Sequence, residues 1–228
     1  MKENTSQQVQ LRPVQWLLAI LLLFTFAALA VTITLRCRGL YESDLAEQDL
    51  PATTGLSKEF ILTQYDALIS YNLPGGPKEL SFPDLPASPN GLYHFEEVKR
   101  IFMVFQIGLP IALLLSVAGI ILLRKTKLLC LKYATFLALG IPALLGTGAI
   151  LFWDQFFVLF HEMVFANDYW IFSASTDPII MLLPDVYFMH CALLILAIVL
   201  GCGVISLLIY RILYVVRKRS GAKAPIGV

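Results

Sequence analysis

A chain of 228 residues that is 58% hydrophobic and only 14% charged would expose far too much apolar surface as a soluble domain, so membrane residence is expected. Its net charge of +1 hides an asymmetry, since the basic and acidic residues fall in different connections. Four runs are long enough to cross a hydrocarbon core of ~30 Å at ~1.5 Å per residue: residues 14–35, 101–123, 128–152 and 191–213. With Lys132 counted in the short loop before the third run, the N-terminus, that loop and the end from Arg211 hold 11 Lys/Arg against one acid. The connections 36–100 and 153–190 hold 6 Lys/Arg against 15 acids. Basic loops stay in the cytoplasm, so segments 1–13 and 214–228 and the loop 124–132 are expected inside and both large connections outside. Arg36 and Arg38 run against the rule.

The first run is too long for a signal-peptide core and lacks a small-residue cleavage site, so it reads as a retained helix. Cys37 follows "TLR", with arginine where a lipidated N-terminus would carry a small residue. Within the outer connection, residues 60, 61, 62, 65, 68, 69 and 73 are apolar and share one helical face better than they alternate as a strand. The Pro- and Gly-rich stretch after it should be loop, with one short strand at 79–82. Phe60, Tyr65, Tyr71 and Phe82 imply that this outer cap is packed. Ser88 or Asn90 then caps the helix that re-enters the membrane. His94, Val98, Ile101 and Phe105 follow one face of it, which sets His94 a turn or two above the hydrocarbon.

The second outer connection, "WDQFFVLFHEMVFANDYWIF", is nearly as apolar as a span but follows one that has already crossed. Reversing at once would carry His161 and Glu162 to mid-bilayer, where ionisable groups are costly. A helix lying in the interface is cheaper, with phenylalanines down and His161 facing the protein. A short helix follows, capped by Asp177 or Thr176 with Pro178 in its first turn, and Pro184 starts the last span. The expected fold is all-α and membrane-integral: four transmembrane helices, both termini cytoplasmic, topped by a small extracellular cap with interfacial helices.

Both His94 and His161 thus fall at one depth, and imidazole is the natural proton-transfer group near neutrality. His161-Glu162 begins a zinc-protease signature, but Phe165 stands where the second histidine belongs; Glu162, as a helical neighbour, points elsewhere. There is no G-x-S-x-G elbow, no C-x-x-C, no glycine-rich phosphate loop and no basic-aromatic face for nucleic acid. The cysteines at 37, 130, 191 and 202 lack metal spacing, and Cys130 and Cys202 read as packing residues. Cys37 and Cys191 keep a thioester route open. A zinc site from His94, His161 and His190 is conceivable, although His190 reads as an interfacial anchor.

The segments "QYDALISYNL", "LPASPNGLYHFEEVK" and "LFHEMVFANDYWIF…TDPIIMLLPDVYF", in this order from about residue 60 to 190, resemble the bacterial lipoprotein intramolecular transacylase family of small four-helix membrane proteins. The resemblance implies transfer of the sn-2 acyl chain of an S-diacylglyceryl cysteine to that cysteine's own α-amino group, giving a lyso-form lipoprotein. It implies a histidine pair at His94 and His161, with diacylated lipoproteins of the outer leaflet as substrates, and with membrane lipids, but no nucleic acid, as the other partners. It implies residence in the bacterial cytoplasmic membrane with the site on the extracellular face. No metal and no cofactor are expected. Because donor ester and acceptor amine belong to one molecule, positioning replaces an acyl-enzyme. One histidine takes the ammonium proton and the other polarises the carbonyl; the sequence leaves the two roles open, and His94 is taken as the base. Tyr65, Tyr71 and Trp170 are candidate supporting donors and Asp177 a candidate orienter. A metal-dependent membrane hydrolase and a non-catalytic lipid- or lipoprotein-binding protein are the alternatives. A transporter fits poorly, because the inner halves of the spans carry almost no ionisable residue.

Overall fold

A computed structural model describes residues 12–126 and 128–222. The expected segment 1–13 and tail 214–228 lie partly outside them. The elements are α1 (Arg12–Leu35), α2 (Arg38–Glu47), α3 (Leu50–Thr54), α4 (Lys58–Tyr71), α5 (Pro89–Leu122), α6 (Leu129–Leu151), α7 (Trp153–Val164), a 3-10 helix (Pro178–Leu182) and α8 (Asp185–Ala222). Four of them, α1, α5, α6 and α8, are long and apolar enough to cross a membrane. The described residues contain no strand, so the strand expected at 79–82 is corrected. Prolines 77, 83 and 86 break the stretch, and Leu80 and Phe82 are instead buried in the core beneath it.

Small residues let the spanning helices approach. Ala19, Ala28 and Ala30 of α1 and Ala134 and Ala138 of α6 are buried. A Cβ on Gly203 of α8 would sit 3.0 Å from Ala138 Cβ. In lipid, where burying apolar area gives helices little drive to associate, such close packing and hydrogen bonds hold them. Thr135 donates to the Gly203 carbonyl (3.2 Å), Ser206 to the Leu131 carbonyl (3.0 Å), and the hydroxyls of Thr25 and Ser116 meet at 3.2 Å. At the end near both described termini, Gln15 donates to Thr126 Oγ1 (2.9 Å) and accepts from the Cys130 N–H (2.8 Å), satisfying one orphan donor of α6. Helix α1 packs on α5, α6 and α8, and α6 packs on α8. Helix α5 leans on α1 and makes at most marginal contact with α6 and α8, leaving a cleft along its other side.

At the opposite end, α2–α4, the 77–88 segment and the 3-10 helix form a head. Its centre is three tyrosines. Tyr41 and Tyr65 stack with centroids 3.7 Å apart, and Tyr187 meets Tyr41 edge-on at 5.2 Å. Their polar tips are paired: Tyr41 donates to the Leu182 carbonyl (2.7 Å), and the hydroxyls of Tyr65 and Tyr187 share a hydrogen bond (3.0 Å). His190 Nδ1 meets the buried Asp44 carboxylate at 2.7 Å, tying α8 to α2.

Helix α5 has 34 residues, about 51 Å at 1.5 Å per residue, well beyond a ~30 Å hydrocarbon core. Its first turns therefore project into the head. Of the two candidate caps, Ser88 is the one used, accepting from the Gly91 N–H at 3.0 Å. The Ser88 N–H in turn donates to Asp177 Oδ1 (2.8 Å), so the segment before α8 fixes where α5 begins.

Candidate active site

His94 sits in the second turn of α5 and is 5% exposed. His161 lies near the end of α7, the helix that turns off α6 at Phe152. The start of α7 is held by Trp153, whose indole N–H donates to Asp185 (2.9 Å). Most of α7 is exposed along Leu159, Phe160 and Met163, an apolar face suited to lie in lipid. These placements bring the imidazoles together, with ring centroids 6.1 Å apart and planes 35° apart.

The segment after α7 folds back over the pair. Phe165 packs edge-on to His94 at 4.7 Å and Phe172 at 5.6 Å, while Trp170 lies against His161 at 4.7 Å. Asn167 donates to both oxygens of Glu97 on α5 (3.1 and 3.2 Å), and Tyr169 meets Tyr93 edge-on at 5.6 Å. Gly91 makes room for the returning chain: a Cβ there would lie 2.2 Å from Asp177 Oδ1 and 3.0 Å from Phe172 Cε1. Phe165, which spoils the zinc signature, is thus a wall of the other histidine's pocket.

His161 Nδ1 is 2.7 Å from the Phe157 carbonyl oxygen. A carbonyl only accepts, so Nδ1 carries the hydrogen and Nε2 keeps the lone pair. Burial pushes His161 below its ordinary pKa, against a smaller opposing pull from the Phe157 carbonyl. His94, two turns before the apolar run that starts at Ile101, is pushed down to about 4 by burial first and His161's charge second. Both rings are therefore neutral at pH 7. The linkage has a definite sign. An imidazole whose folded pKa is depressed binds its proton first in the unfolded chain, so stability is lost as pH falls from 6.5 towards about 4. Thermal unfolding in detergent should show a midpoint that declines over that window, less steeply in His94→Gln; equal declines would contradict the assignment.

Beneath the pair lies a cavity of about 470 Å³ lined almost wholly by apolar side chains. Its walls run from His94 to Phe102 on α5 and from Phe188 to Leu196 on α8. Each stretch advances eight residues, about 12 Å along a helix, and Phe188 packs at the level of His161 through Phe157 (5.8 Å). The cavity thus descends from the histidines along the cleft beside α5.

A family model described as lipoprotein intramolecular transacylase Lit matches residues 16–188, more than half of the chain and inclusive of both histidines. The chain belongs to this family. Solved structures of the membrane-integral lipoprotein intramolecular transacylase Lit from Bacillus cereus agree in fold. One is 33% identical, with a TM-score of 0.86 over 92% of this chain and 97% of its own. Two others, with one histidine replaced by arginine or by alanine, are 31% and 33% identical. Both reach a TM-score of 0.82 over 96% of this chain and 99% of theirs. No curated protein matched. The protein is a membrane-integral lipoprotein intramolecular transacylase.

In this transacylase the supporting residues expected from sequence fall in different places. Tyr65 lines the cavity, but its hydroxyl is engaged by Tyr187. Trp170 lines it as well, and its Nε1 is buried with no hydrogen-bond partner. Tyr71 does not line it; its ring lies under the Lys99 ammonium at 3.9 Å. Asp177 borders a separate polar pocket beside Ser88 and Gly91, and takes the Thr176 hydroxyl (2.7 Å) besides the Ser88 N–H. Glu162 is exposed. His190 is held by Asp44, and no group of three or more His, Cys, Asp and Glu able to hold a metal occurs among the described residues. Cys191 lines the cavity and Cys37 is partly exposed. Three features were not read from sequence: the Phe157 carbonyl, the Phe165–Phe172 wall and the Asn167–Glu97 latch. Their only signal was the aromatic density of "FANDYWIF" around an Asn-Asp turn.

Proposed function

We propose that His94 and His161 transfer the sn-2 acyl chain of a diacylglyceryl-cysteine lipoprotein to the α-amino group of the same cysteine, in the outer leaflet of a bacterial cytoplasmic membrane. The observation that carries this reading is a pair of imidazoles with ring centroids 6.1 Å apart at the head of an apolar cavity, one of them with its tautomer fixed by a backbone carbonyl. The cavity is a slot for an acyl chain, and the cleft beside α5 is its route from the bilayer. The basic residues at the end holding both described termini support placing that end in the cytoplasm and the histidines outside.

The fixed tautomer favours His161, not His94, as the base. An α-ammonium has a pKa near ~8 and must shed a proton to attack. With the amine free, its nitrogen adds to the sn-2 carbonyl carbon and the carbonyl π pair moves to oxygen. His161 Nε2 takes the second nitrogen proton, and the resulting imidazolium keeps its Nδ1–H on the Phe157 carbonyl. His94 presents an N–H to the oxyanion. As the intermediate collapses, the bond from carbonyl carbon to glyceryl oxygen breaks and that oxygen takes the proton from His161. The products are an amide and a free sn-2 hydroxyl, with one proton released to solvent if the substrate began as an ammonium. Effective molarities of the order of 10⁵ M or more for oriented neighbours remove the need for an acyl-enzyme.

The test mixes two diacylated lipopeptides, one with deuterated acyl chains and a different peptide, with the purified protein and with a variant lacking all four cysteines, each with and without excess chelator. Label confined to its own peptide, in both preparations, is expected. Label crossing between peptides would point to an acyl-enzyme. Release of free fatty acid that stops with chelator and returns with zinc would favour the metal-dependent hydrolase. Binding without conversion would favour the lipoprotein-binding alternative.

A further inference from the structure

The geometry points to the Trp170 indole N–H as a catalytic hydrogen-bond donor to the ester carbonyl oxygen, a role that rests on the histidine-pair reading above. Buried polar groups are nearly always paired, and one that is not calls for an explanation. Several donors lining the cavity have partners. The hydroxyls of Tyr65 and Tyr187 bond each other, the Trp153 N–H goes to Asp185, the Asn72 amide to the Leu68 carbonyl and His161 Nδ1 to Phe157. Thr34 Oγ1, His94 Nδ1 and Trp170 Nε1 are buried without one. A helical threonine can turn its hydroxyl onto the carbonyl four residues back, here Ala30. Indole has no such recourse, being a donor only, with a fixed N–H direction.

The ring that carries this N–H is also packed against the base. It lies against His161 at 4.7 Å and 31°, with Phe157 edge-on at 6.4 Å. The amine that His161 deprotonates is bonded to the carbonyl carbon in the transition state, so the oxyanion forms only two bonds away from the nitrogen His161 serves. A rigid donor fixed by packing loses no reorganisation energy at that moment. Trp170 and His94 together then give the oxyanion two donors, one from the returning segment and one from α5.

The test replaces Trp170 by 3-benzothienylalanine, which keeps the bicyclic ring and puts sulfur where the N–H was, and by phenylalanine (Trp170→Phe). Lipopeptide conversion is measured at several concentrations in both, with His161→Ala alongside and thermal unfolding as the check on folding. A fall in kcat of about 10²–10³-fold with KM nearly unchanged, in a benzothienyl variant that unfolds like wild type, is expected. Unchanged kcat in that variant, or a loss confined to KM, would overturn the donor role while leaving the histidine pair standing. Wild-type kcat in His161→Ala would instead remove the pair mechanism, and the donor role with it.

Discussion

His161→Ala is expected to lower kcat by about 10²–10⁴-fold, the usual worth of a positioned general acid–base group, with little change in thermal unfolding. The imidazole takes a proton from nitrogen and returns it to the departing oxygen, so its removal strikes both halves of the reaction. The lost packing is modest, because His161 is only partly buried and the segment above it is latched elsewhere, by Asn167 to Glu97 and by Tyr169 to Tyr93. Kinetics in detergent with a diacylated lipopeptide measure the effect. His161→Gln is the sharper control, since a glutamine can reach polar partners but cannot act as a base near pH 7. A rate within a few-fold of wild type in either variant would remove His161 from the chemistry.

The second large effect is on stability. Tyr41→Ala should cost about 3–5 kcal/mol, the range for deleting a large buried aromatic ring. Tyr41 is 0% exposed, stacks on Tyr65, and satisfies the Leu182 carbonyl with its hydroxyl. Truncation leaves a cavity at the centre of the head and an unpaired carbonyl in the 3-10 helix. Tyr41→Phe isolates the second contribution, roughly 1–3 kcal/mol for an orphaned buried acceptor. Thermal unfolding of both variants in one detergent gives the comparison. Activity should fall with Tyr41→Ala even below its melting point, because Tyr65 and Tyr187, the partners of that ring, line the cavity. Equal stability of Tyr41→Ala and wild type would mean that the head is not a cooperative unit.

The architecture was legible because hydrocarbon imposes a long-wavelength constraint: four apolar runs of sufficient length can hardly be anything but helices. The helix at 58–71 declared itself through its apolar face, while its Ser57 cap emerged only in the structure. The strand expected at 79–82 did not form, since two alternating side chains mark burial as well as they mark a sheet, and only a partner strand decides between them. The meeting of His94 and His161 was readable only as a shared depth, together with the family resemblance. The 6.1 Å between their rings depends on how α7 turns off α6 and on how the returning segment is latched to α5. The same limit explains Tyr71 and Asp177. Both lie in segments of the head near the pair in sequence order, but helix rotation turns Tyr71 under Lys99, and Asp177 is taken up by the start of α5. The tautomer of His161 could not be foreseen either, because it is set by a backbone carbonyl one helical turn back.

The position of the acyl chain after the reaction tests transfer by the histidine pair most directly. Intramolecular transfer leaves the parent mass unchanged, so the lipidated terminus is sequenced by tandem mass spectrometry after incubation with wild type, His94→Ala and His161→Ala. Fragments carrying one acyl group on the α-amino nitrogen are expected with wild type, and fragments with both acyl groups on glyceryl oxygens with the two variants. Both acyl groups staying on glycerol with wild type, or an acyl group reaching nitrogen equally in the variants, would contradict transfer by the pair.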